Sequence, residues 1–246
     1  MSSGTMDAAL DTAARGWHVF PLRPGDKRPA VRDWEARATT DRARIERCWR
    51  TGAYNVGIAC GPSRLVVIDL DTPKGGAVPP QAWQLDGVRT GLDVLAVLAD
   101  RAGETLPVAT YSVRTTSGGE HLYYAAPGGA EFRNTAGTLG WLVDTRAVGG
   151  YVVAAGSTVA DRDYAVLDDS DAAPLPGWLA KLLTAPDRRP APAGALDELL
   201  AAVRRRSGYA EAALRGELDT VLAAQPGNRN HTLNASAYAL GRLIGA

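Results

Sequence analysis

With 246 residues, of which 46% are hydrophobic and 22% charged, the chain has the composition of an ordinary globular protein, which excludes a disordered or fibrous one. A formal net charge of +0 argues against a protein that coats nucleic acid through bulk electrostatics. Two cysteines, Cys48 and Cys60, are too few for a disulfide framework and favour a reducing cytoplasm. No apolar run approaches the roughly 18 residues of a membrane span, so no membrane partner is expected.

Charge is distributed unevenly along the chain. Residues 1–57 carry ten basic and seven acidic side chains, residues 58–184 nine and fourteen, and residues 185–246 eight and six. A central carboxylate-lined metal site, between ends that help to hold a polyanion, would give this pattern, and so would scattered surface charge.

The first predicted elements are a helix, a strand and a second helix. A helix is predicted from Asp7 to Arg15, followed by the strand WHVFPL. The loop RPGDKRPA comes next, and its Pro-Gly punctuation places Lys27 at a loop tip. The segment TTDRARIERCWR then predicts a helix with an N-terminal cap.

Two acids stand at the end of the next apolar segment. NVGIACGPSRLVVIDLD predicts two strands joined into a hairpin by Gly-Pro-Ser. Because side chains alternate along a strand, Asp69 and Asp71 are expected on one face. When two carboxylates lie so close together, a shared cation is favoured, and their hard oxygens suit Mg²⁺ or Mn²⁺. The alternative is that Asp69 lies at an exposed strand end and Asp71 begins a turn.

A histidine follows a glycine-rich turn. After a helix predicted from Leu92 to Ala102, TYSVRTTSGGEHLYYAA predicts a second hairpin with Ser117-Gly118-Gly119 at its turn. Small residues there let backbone N–H groups approach an anion, so phosphate is the expected ligand beside His121. A packed or surface histidine is the alternative.

A third acid interrupts an apolar β-rich run. In WLVDTRAVGGYVV, Asp144 is costly if it is buried alone, and the cost disappears if it faces Asp69 and Asp71 as a third metal ligand. Arg146 would share its face, and an Asp–Arg ion pair on that face is the alternative. The strands and helices together predict an α+β body with strands mostly in hairpins.

The end of the chain has a different character. After a last short strand predicted for DYAVL, we expect one domain over residues 1–184, a Pro- and Ala-rich linker over 185–194 and a small helical segment over 195–246. The helices of that segment are predicted at Leu196–Arg206, at Tyr209–Ala224 and from Thr232 onward. Because the last helical pattern has no cap, the sequence is expected to be a piece of a longer protein.

Taken in order, these stretches resemble the bifunctional DNA primase/polymerase N-terminal (prim-pol) family of the archaeo-eukaryotic primase superfamily, common in bacterial mobile elements, phages and plasmids. The resemblance covers about residues 10–180. The stretches that carry it are GWHVFPLRPGDKRPA, ATTDRARIERCW, NVGIACGPSRLVVIDLD, VRTTSGGEHLYY and VDTRAVGGYVVAAGS. One departure is VVAAGS, where the family commonly has VVxPPS, which leaves Ser157 without an assigned role.

The resemblance implies an RRM-like sheet beside a second α/β portion, with the active site in the cleft between them. By motif position, Asp69, Asp71 and Asp144 would bind two Mg²⁺ or Mn²⁺ ions, and His121 would contact the nucleotide phosphates. Further candidate nucleotide contacts lie in the matching stretches, namely Lys27, Arg114, Ser117 and Arg146. The helical segment resembles one that often precedes a helicase portion, which would be a partner or a further part of the protein.

The implied function is that of a DNA primase and DNA-dependent polymerase. It would transfer nucleotides from dNTPs or NTPs to a 3′-hydroxyl on a single-stranded DNA template, in the replication of a mobile element. Two other functions stay open, a catalytically silent nucleic-acid-binding module and another metal-dependent nucleotidyltransferase or nuclease. A pure binder has no need to keep three acids and His121 together, which favours an enzyme.

Overall fold

The computed structural model describes residues 3–129, 131–184 and 208–223, together with residues 232, 233 and 236. The chain divides into two compact units, Met1–Pro186 and Asp187–Ala246. Among the residues so described, no helix is long and apolar enough to cross a membrane.

Helices and short strands make up the first unit, and one described helix belongs to the second. The helices are α1 (Ser3–Ala14), α2 (Trp34–Arg37), α3 (Arg42–Trp49), α4 (Gly91–Ala102), α5 (Gly177–Thr184) and α6 (Gly208–Ala223), with a single 3-10 turn at Gln81–Trp83. The strands are β1 (Val19–Leu22), β2 (Asn55–Ala59), β3 (Leu65–Leu70), β4 (Ser112–Arg114), β5 (Glu120–Ala125), β6 (Thr135–Gly140), β7 (Val143–Arg146), β8 (Tyr151–Val153), β9 (Thr158–Val159), β10 (Arg162–Asp163), β11 (Ala165–Asp168) and β12 (Ala173–Pro174).

A small antiparallel sheet has β2 at its centre, with β1 and β8 on either side. Every residue of β1 and β2 is buried. Helix α3 begins where the Asp41 side chain accepts a hydrogen bond of 2.8 Å from the Arg44 amide, and it buries Ile45 and Trp49. These side chains join Phe20 and others in a first hydrophobic core.

The larger sheet has seven strands. Six of them lie in the order β11-β4-β5-β3-β7-β6, and the seventh, β12, pairs with β5 in parallel. Helices α4 and α5 pack on one of its faces. Helix α4 starts at a capping box, in which Thr90 and Asp93 each accept a hydrogen bond from the other's backbone amide. Strand β3 lies at the middle, hydrogen-bonded on both sides.

Strand β3 separates two cores because its side chains alternate. Val66, Ile68 and Leu70 enter the second core, against α4, while Val67 enters the first core. Asp69 has the parity of Val67 and therefore lies on the face that is free of α4. The apolar residues of LVVIDL that pack against α4 thus determine that Asp69 faces the other side of the sheet.

The predicted hairpin between β2 and β3 is wrong. β2 pairs with β1 and β8, whereas β3 pairs with β5 and β7 in the other sheet. The connection is tight, with the Ser63 amide bonded to the Ala59 carbonyl oxygen and Arg64 at a φ of 53°. It carries the chain from one sheet to the next, which local turn residues do not reveal.

Other predictions have mixed outcomes. The β4–β5 hairpin is confirmed, with Val113 opposite His121. Strand β6 was not predicted, because TAGTLG lacks an apolar alternation. The mixed α+β class agrees with the observed helices and antiparallel sheets. The predicted helix Leu196–Arg206 lies outside the described residues, as does most of the one from Thr232, whereas α6 matches the predicted Tyr209–Ala224 closely.

Candidate active site

The centre of the large sheet carries three polar side chains in one row. Asp69 of β3 lies opposite His121 of β5 on one side and opposite Asp144 of β7 on the other. Residues directly opposite on antiparallel strands have Cβ atoms about 4.5–5.5 Å apart on one face. His121 Nε2 is 3.5 Å from Asp69 Oδ1. The sheet therefore brings together three of the residues that the sequence singled out.

A cation joins this row. Arg146 shares the face of Asp144, and its Nη2 atom is 2.9 Å from Asp144 Oδ2 and 3.4 Å from Asp69 Oδ2. The other oxygen of Asp144, Oδ1, accepts a hydrogen bond of 3.0 Å from the Gly137 amide. Gly137 belongs to β6, whose register with β7 is irregular. The Asp–Arg ion pair that the sequence left open is present and extends to a second carboxylate.

Asp71 lies one residue beyond the end of β3. Its amide donates to the Leu142 carbonyl oxygen, and its own carbonyl oxygen accepts from the Gly91 amide at the start of α4, both at 2.9 Å. A Cβ on Gly91 would overlap the Leu142 oxygen, so this close approach requires glycine. Lys74 Nζ is 3.9 Å from Asp71 Oδ1.

Asp69 in β3 and Asp71 just beyond its end have opposite electrostatic surroundings. Burial raises the pKa of Asp69, but the neighbouring His121 and Arg146 side chains outweigh it, so the pKa lies below its ordinary value of 3.8. Burial, and after it the charge of Asp69, raises the pKa of Asp71, and Asp144 adds to the repulsion. Asp71 is therefore the carboxylate that lacks sufficient positive charge.

A tight turn precedes β5. The Gly119 amide donates to Thr115 Oγ1 at 3.1 Å, and the Thr115 amide donates to the Gly119 carbonyl oxygen at 2.9 Å. Thr72 Oγ1 donates to the Ser117 carbonyl oxygen at 3.0 Å, which ties the turn to the segment after β3. A Cβ on Gly119 would overlap the Leu70 carbonyl oxygen, so the turn packs directly on the end of β3.

His121 is buried, with 5% of its surface exposed. The rings of Tyr123 and Tyr164 lie 6.2 and 6.0 Å from its ring, centre to centre. Its Nδ1 atom is buried and has no hydrogen-bond partner among the described residues. Buried polar atoms without a partner are rare, and they call for a functional or structural reason.

These residues line a cleft of about 400 Å³. Six of the predicted site residues contribute to its walls, namely Lys27, Asp69, Asp71, Ser117, His121 and Arg146. Asp144 reaches the cleft only through Arg146. Sequence reasoning missed five further polar lining residues, which are Lys74, Thr115, Asn134, Tyr151 and Tyr164. Of these, Lys74 had a signal, since it follows Asp71 by three residues.

The loop after β1 forms one wall of the cleft. Tyr151 donates its hydroxyl hydrogen to the Lys27 carbonyl oxygen at 3.1 Å, and Lys27 Nζ is 5.8 Å from the centre of the Tyr164 ring. The tyrosines thus hold the loop tip where its ammonium group faces the acids. A cationic loop opposite the carboxylates of Asp69 and Asp71 suits a ligand that carries both a metal and negative charge.

Two residues from the matching stretches lie elsewhere. Arg114 is exposed and follows Val113, which shares the face of His121, so Arg114 points to the opposite face and does not line the cleft. Ser157 is fully buried, and its hydroxyl oxygen accepts a hydrogen bond of 2.9 Å from the Val56 amide. Ser157 therefore fastens the small sheet.

The acids offer oxygen ligands of the kind that Mg²⁺ and Mn²⁺ prefer. Among the described residues, no group of three or more His, Cys, Asp or Glu side chains is arranged to hold a metal ion. Between Asp69 and Asp144 lies the Arg146 guanidinium, whose Nη2 atom is 3.4 Å from the first carboxylate and 2.9 Å from the second. That guanidinium places one cation among the acids. Burial, and after it the charges of Asp69 and Asp144, raises the pKa of Asp71, so an added cation would favour the ionised form of this carboxyl group.

The geometry defines an α+β protein with a carboxylate-lined, cation-bearing cleft at the centre of an antiparallel sheet. The model of the bifunctional DNA primase/polymerase N-terminal family (Prim-Pol) matches residues 9–178, and the chain belongs to that family. No curated protein sequence matches the chain significantly. Membership implies a nucleotidyltransferase of the DNA primase/polymerase type, a group that generally uses divalent metals and acts on DNA and nucleotides.

Proposed function

We propose that this chain is a DNA primase and DNA-dependent polymerase that adds nucleotides from dNTPs or NTPs to a 3′-hydroxyl on a single-stranded DNA template. The observation that carries the proposal is the row His121–Asp69–Asp144 across three adjacent strands, with Asp71 at the end of the central one. We further propose that the two sheets correspond to the archaeo-eukaryotic primase fold, and that the protein serves the replication of a phage, plasmid or other mobile element.

Asp69, Asp71 and Asp144 would hold the Mg²⁺ or Mn²⁺ ions. Bound divalent metals supply the positive charge that stabilises the attacking and leaving oxygens of a phosphoryl transfer. Asp71 is the acid with the least compensation in the protein alone, since burial and Asp69 both raise its pKa. The ionised form of Asp71 is therefore stabilised most when a metal ion binds.

The nucleotide would lie between the acids and the cationic loop. Lys27 neutralises phosphate charge from one wall, and the Ser117 turn offers backbone N–H groups from the other. His121 orients the phosphates through Nε2, the nitrogen that faces Asp69. Arg146 would leave the carboxylates and bind a phosphate instead, because the planar guanidinium can donate two parallel hydrogen bonds to phosphate oxygens.

Incorporation of labelled dATP on primed and unprimed single-stranded DNA, with Mg²⁺ or Mn²⁺, tests the proposal. Asp69→Asn and Asp71→Asn, alone and together, should abolish incorporation while the circular dichroism spectrum stays native. Asp7→Asn is the matched control, because Asp7 is an exposed carboxylate of α1 that does not line the cleft. Incorporation that survives the double change would show that these acids are not the metal ligands.

One observation favours a second candidate, a catalytically silent nucleic-acid-binding module. Arg146 satisfies Asp69 and Asp144 without any metal, as a retained structural network would. A silent module would bind single-stranded DNA and incorporate nothing under any metal. A nuclease with the same acids would instead shorten the labelled DNA, so the product lengths separate all three functions.

A further inference from the structure

A groove outside the cleft carries three exposed arginines over an apolar floor. We call it the arginine groove and define it by the exposed Arg37, Arg44 and Arg47 and the buried Val19, Pro21 and Ile45. Its volume is about 340 Å³. It lies where β1 and α3 meet at the edge of the small sheet.

Within the described part of the chain, the three arginines have no acidic partner. No carboxylate oxygen of the described chain lies within 4.0 Å of any of their guanidinium nitrogens. The Arg44 guanidinium donates to the Thr39 hydroxyl and to the Arg37 carbonyl oxygen, both at 3.2 Å. Their charges are therefore available to a ligand.

The other arginines of α3 differ sharply. Arg42 and Arg50 both pair with Glu46, at 2.8 and 3.0 Å, along one stripe of the helix. Arg44 and Arg47 are neighbours on the helix surface because they are three residues apart. They turn away from Glu46 by about 160° and about 100° around the helix axis. One helix thus presents a neutralised stripe to solvent and an uncompensated stripe to the groove.

Nearby acids do not neutralise the groove either. Asp41 caps the start of α3 by accepting from the Arg44 amide. Glu35 accepts a hydrogen bond of 3.0 Å from the Gly149 amide, beside the cleft. Glu46 forms ion pairs with Arg42 and Arg50. The arrangement leaves a localised positive surface on a chain whose formal net charge is +0.

Strand β1 connects the groove to the cleft. Val19 bridges to Thr39 at the groove, while the loop that follows Leu22 carries Lys27 into the cleft. Four strand residues span about 13 Å at 3.3 Å each. A ligand that occupied both places would have to be an extended polyanion rather than a small anion.

We propose that the arginine groove binds the sugar–phosphate backbone of single-stranded DNA outside the cleft. The proposal rests on the proposed function only in its choice of partner, since a polymerase must hold a template beyond the reacting nucleotide. Trp49 is buried and donates its indole N–H to the Tyr54 carbonyl oxygen, so it offers the groove no stacking surface. Contacts to phosphates without base stacking make the binding insensitive to sequence.

Binding of a fluorescein-labelled single-stranded oligonucleotide, followed by anisotropy in EDTA and without nucleotide, tests this site. The variant Arg44→Gln/Arg47→Gln removes two groove charges. Arg42→Gln/Arg50→Gln removes two charges from the same helix outside the groove and is the matched control. We expect the groove variant to bind on the order of tenfold more weakly at low salt, and the control to bind nearly as the wild type.

The salt dependence gives a second readout. The slope of log K against log salt should become shallower by about 1.4 in the groove variant, about 0.7 for each phosphate of a single strand that is no longer neutralised. Equal weakening in both variants would mean a bulk charge effect and would overturn the proposal, as would unchanged binding in the groove variant. Arg37→Gln, which leaves α3 intact, should weaken binding in the same direction.

The natural cysteines report on the groove without any substitution. Cys48 lines the groove and is half-buried, whereas Cys60 is fully buried. Bound DNA should slow the reaction of Cys48 with a maleimide, and an unchanged rate would count against the site. If polyglutamate slowed the reaction of Cys48 as much as DNA does, the partner of the groove would be an acidic protein and the proposal of DNA binding would be wrong.

The groove and the proposed polymerase can fail separately. Weakened DNA binding by the groove variant, with no nucleotide incorporated by the wild type, would leave the groove assigned and overturn the polymerase. Incorporation that depends on Asp69, together with unaltered DNA binding by the groove variant, would leave the polymerase assigned and overturn the groove.

Discussion

Asp69 and Asp144 lie directly opposite each other on β3 and β7, and the Arg146 guanidinium contacts both carboxylates. Like charges directly opposite on neighbouring strands destabilise a sheet, so this single cation offsets a repulsion that the fold creates. In the protein alone the guanidinium neutralises these two carboxylates, and in the proposed function it would instead bind a phosphate.

Removing Arg146 should destabilise the metal-free protein. Arg146→Gln leaves two partly buried carboxylates opposed, and we expect the free energy of unfolding to fall by about 1–3 kcal/mol, since the broken hydrogen bonds involve charged groups. Urea denaturation in EDTA at pH 7 measures it. Arg133→Gln is the control, because Arg133 pairs with Glu131 on the surface, where such pairs contribute about 0–1 kcal/mol. Equal effects of the two changes would contradict the assigned role.

Metal should compensate for the missing guanidinium. Since Arg146 occupies the space between Asp69 and Asp144, a divalent ion competes with it in the wild type but not in Arg146→Gln. Mn²⁺ should therefore raise the midpoint of thermal unfolding more in the variant than in the wild type. A variant that also lacks Asp69 should show no such increase, and an increase that persisted there would place the ion elsewhere.

Replacing Asp69 and replacing Asp71 should change the free energy of unfolding with opposite sign. The folded-state pKa of Asp71 is raised by burial and by Asp69, so its ionised form costs stability at pH 7 and Asp71→Asn should stabilise the metal-free protein. That stabilisation should shrink as the pH falls through the pKa of Asp71, and vanish below about 3.9, where the wild-type side chain is protonated in both states.

Asp69→Asn provides the converse. The pKa of Asp69 is lowered, because His121 and Arg146 outweigh the effect of burial, so its carboxylate stabilises the fold above the unfolded-state pKa and loses that effect as the pH falls through the folded-state value. Asp69→Asn should therefore destabilise the protein at pH 7 in the same denaturation series. Two variants shifted in the same direction would contradict the electrostatic account.

Gly119 should be intolerant of a side chain. Its Cβ would overlap the Leu70 carbonyl oxygen, so Gly119→Ala must push the turn away from the end of β3. We expect the free energy of unfolding to fall by about 1–3 kcal/mol, and nucleotide incorporation to decrease, because Ser117 moves with the turn. Gly177→Ala is the matched control, since nothing lies within 4 Å of a Cβ there and its φ is not positive.

Local patterns placed single side chains better than they predicted the pairing of strands. Alternation placed Asp69 on one face of its strand, and the glycine turn located His121, because both depend on neighbours in sequence. The pairing of β3 with β7, which joins Asp69 to Asp144, links residues 75 apart, and no local signal encodes it. The same limit explains the wrong β2–β3 hairpin, since a short turn fits a crossing between sheets as well as a hairpin.

Arg114 shows where motif position alone falls short. It lies in a stretch that matches the family, yet its side chain is on the same face of β4 as that of Ser112, away from the cleft. Counting residues from His121 through the hairpin would have indicated this, because Val113, and not Arg114, is opposite His121. Tyr151 and Tyr164 carried no sequence signal, because their contact with the Lys27 loop depends on strands far along the chain.

Strand β3 pairs with β5 over its whole length and with β7 from Val67 to Leu70, and all of its residues except Asp69 are buried, so its amides should be among the slowest in the protein to exchange with deuterium. The loops that carry Lys27, Lys74 and Ser117 lack that double support. The cleft would then have a stiff floor and compliant walls. In the proposed polymerase, such a division would hold the carboxylates of the floor in place while the walls adjust to each successive nucleotide.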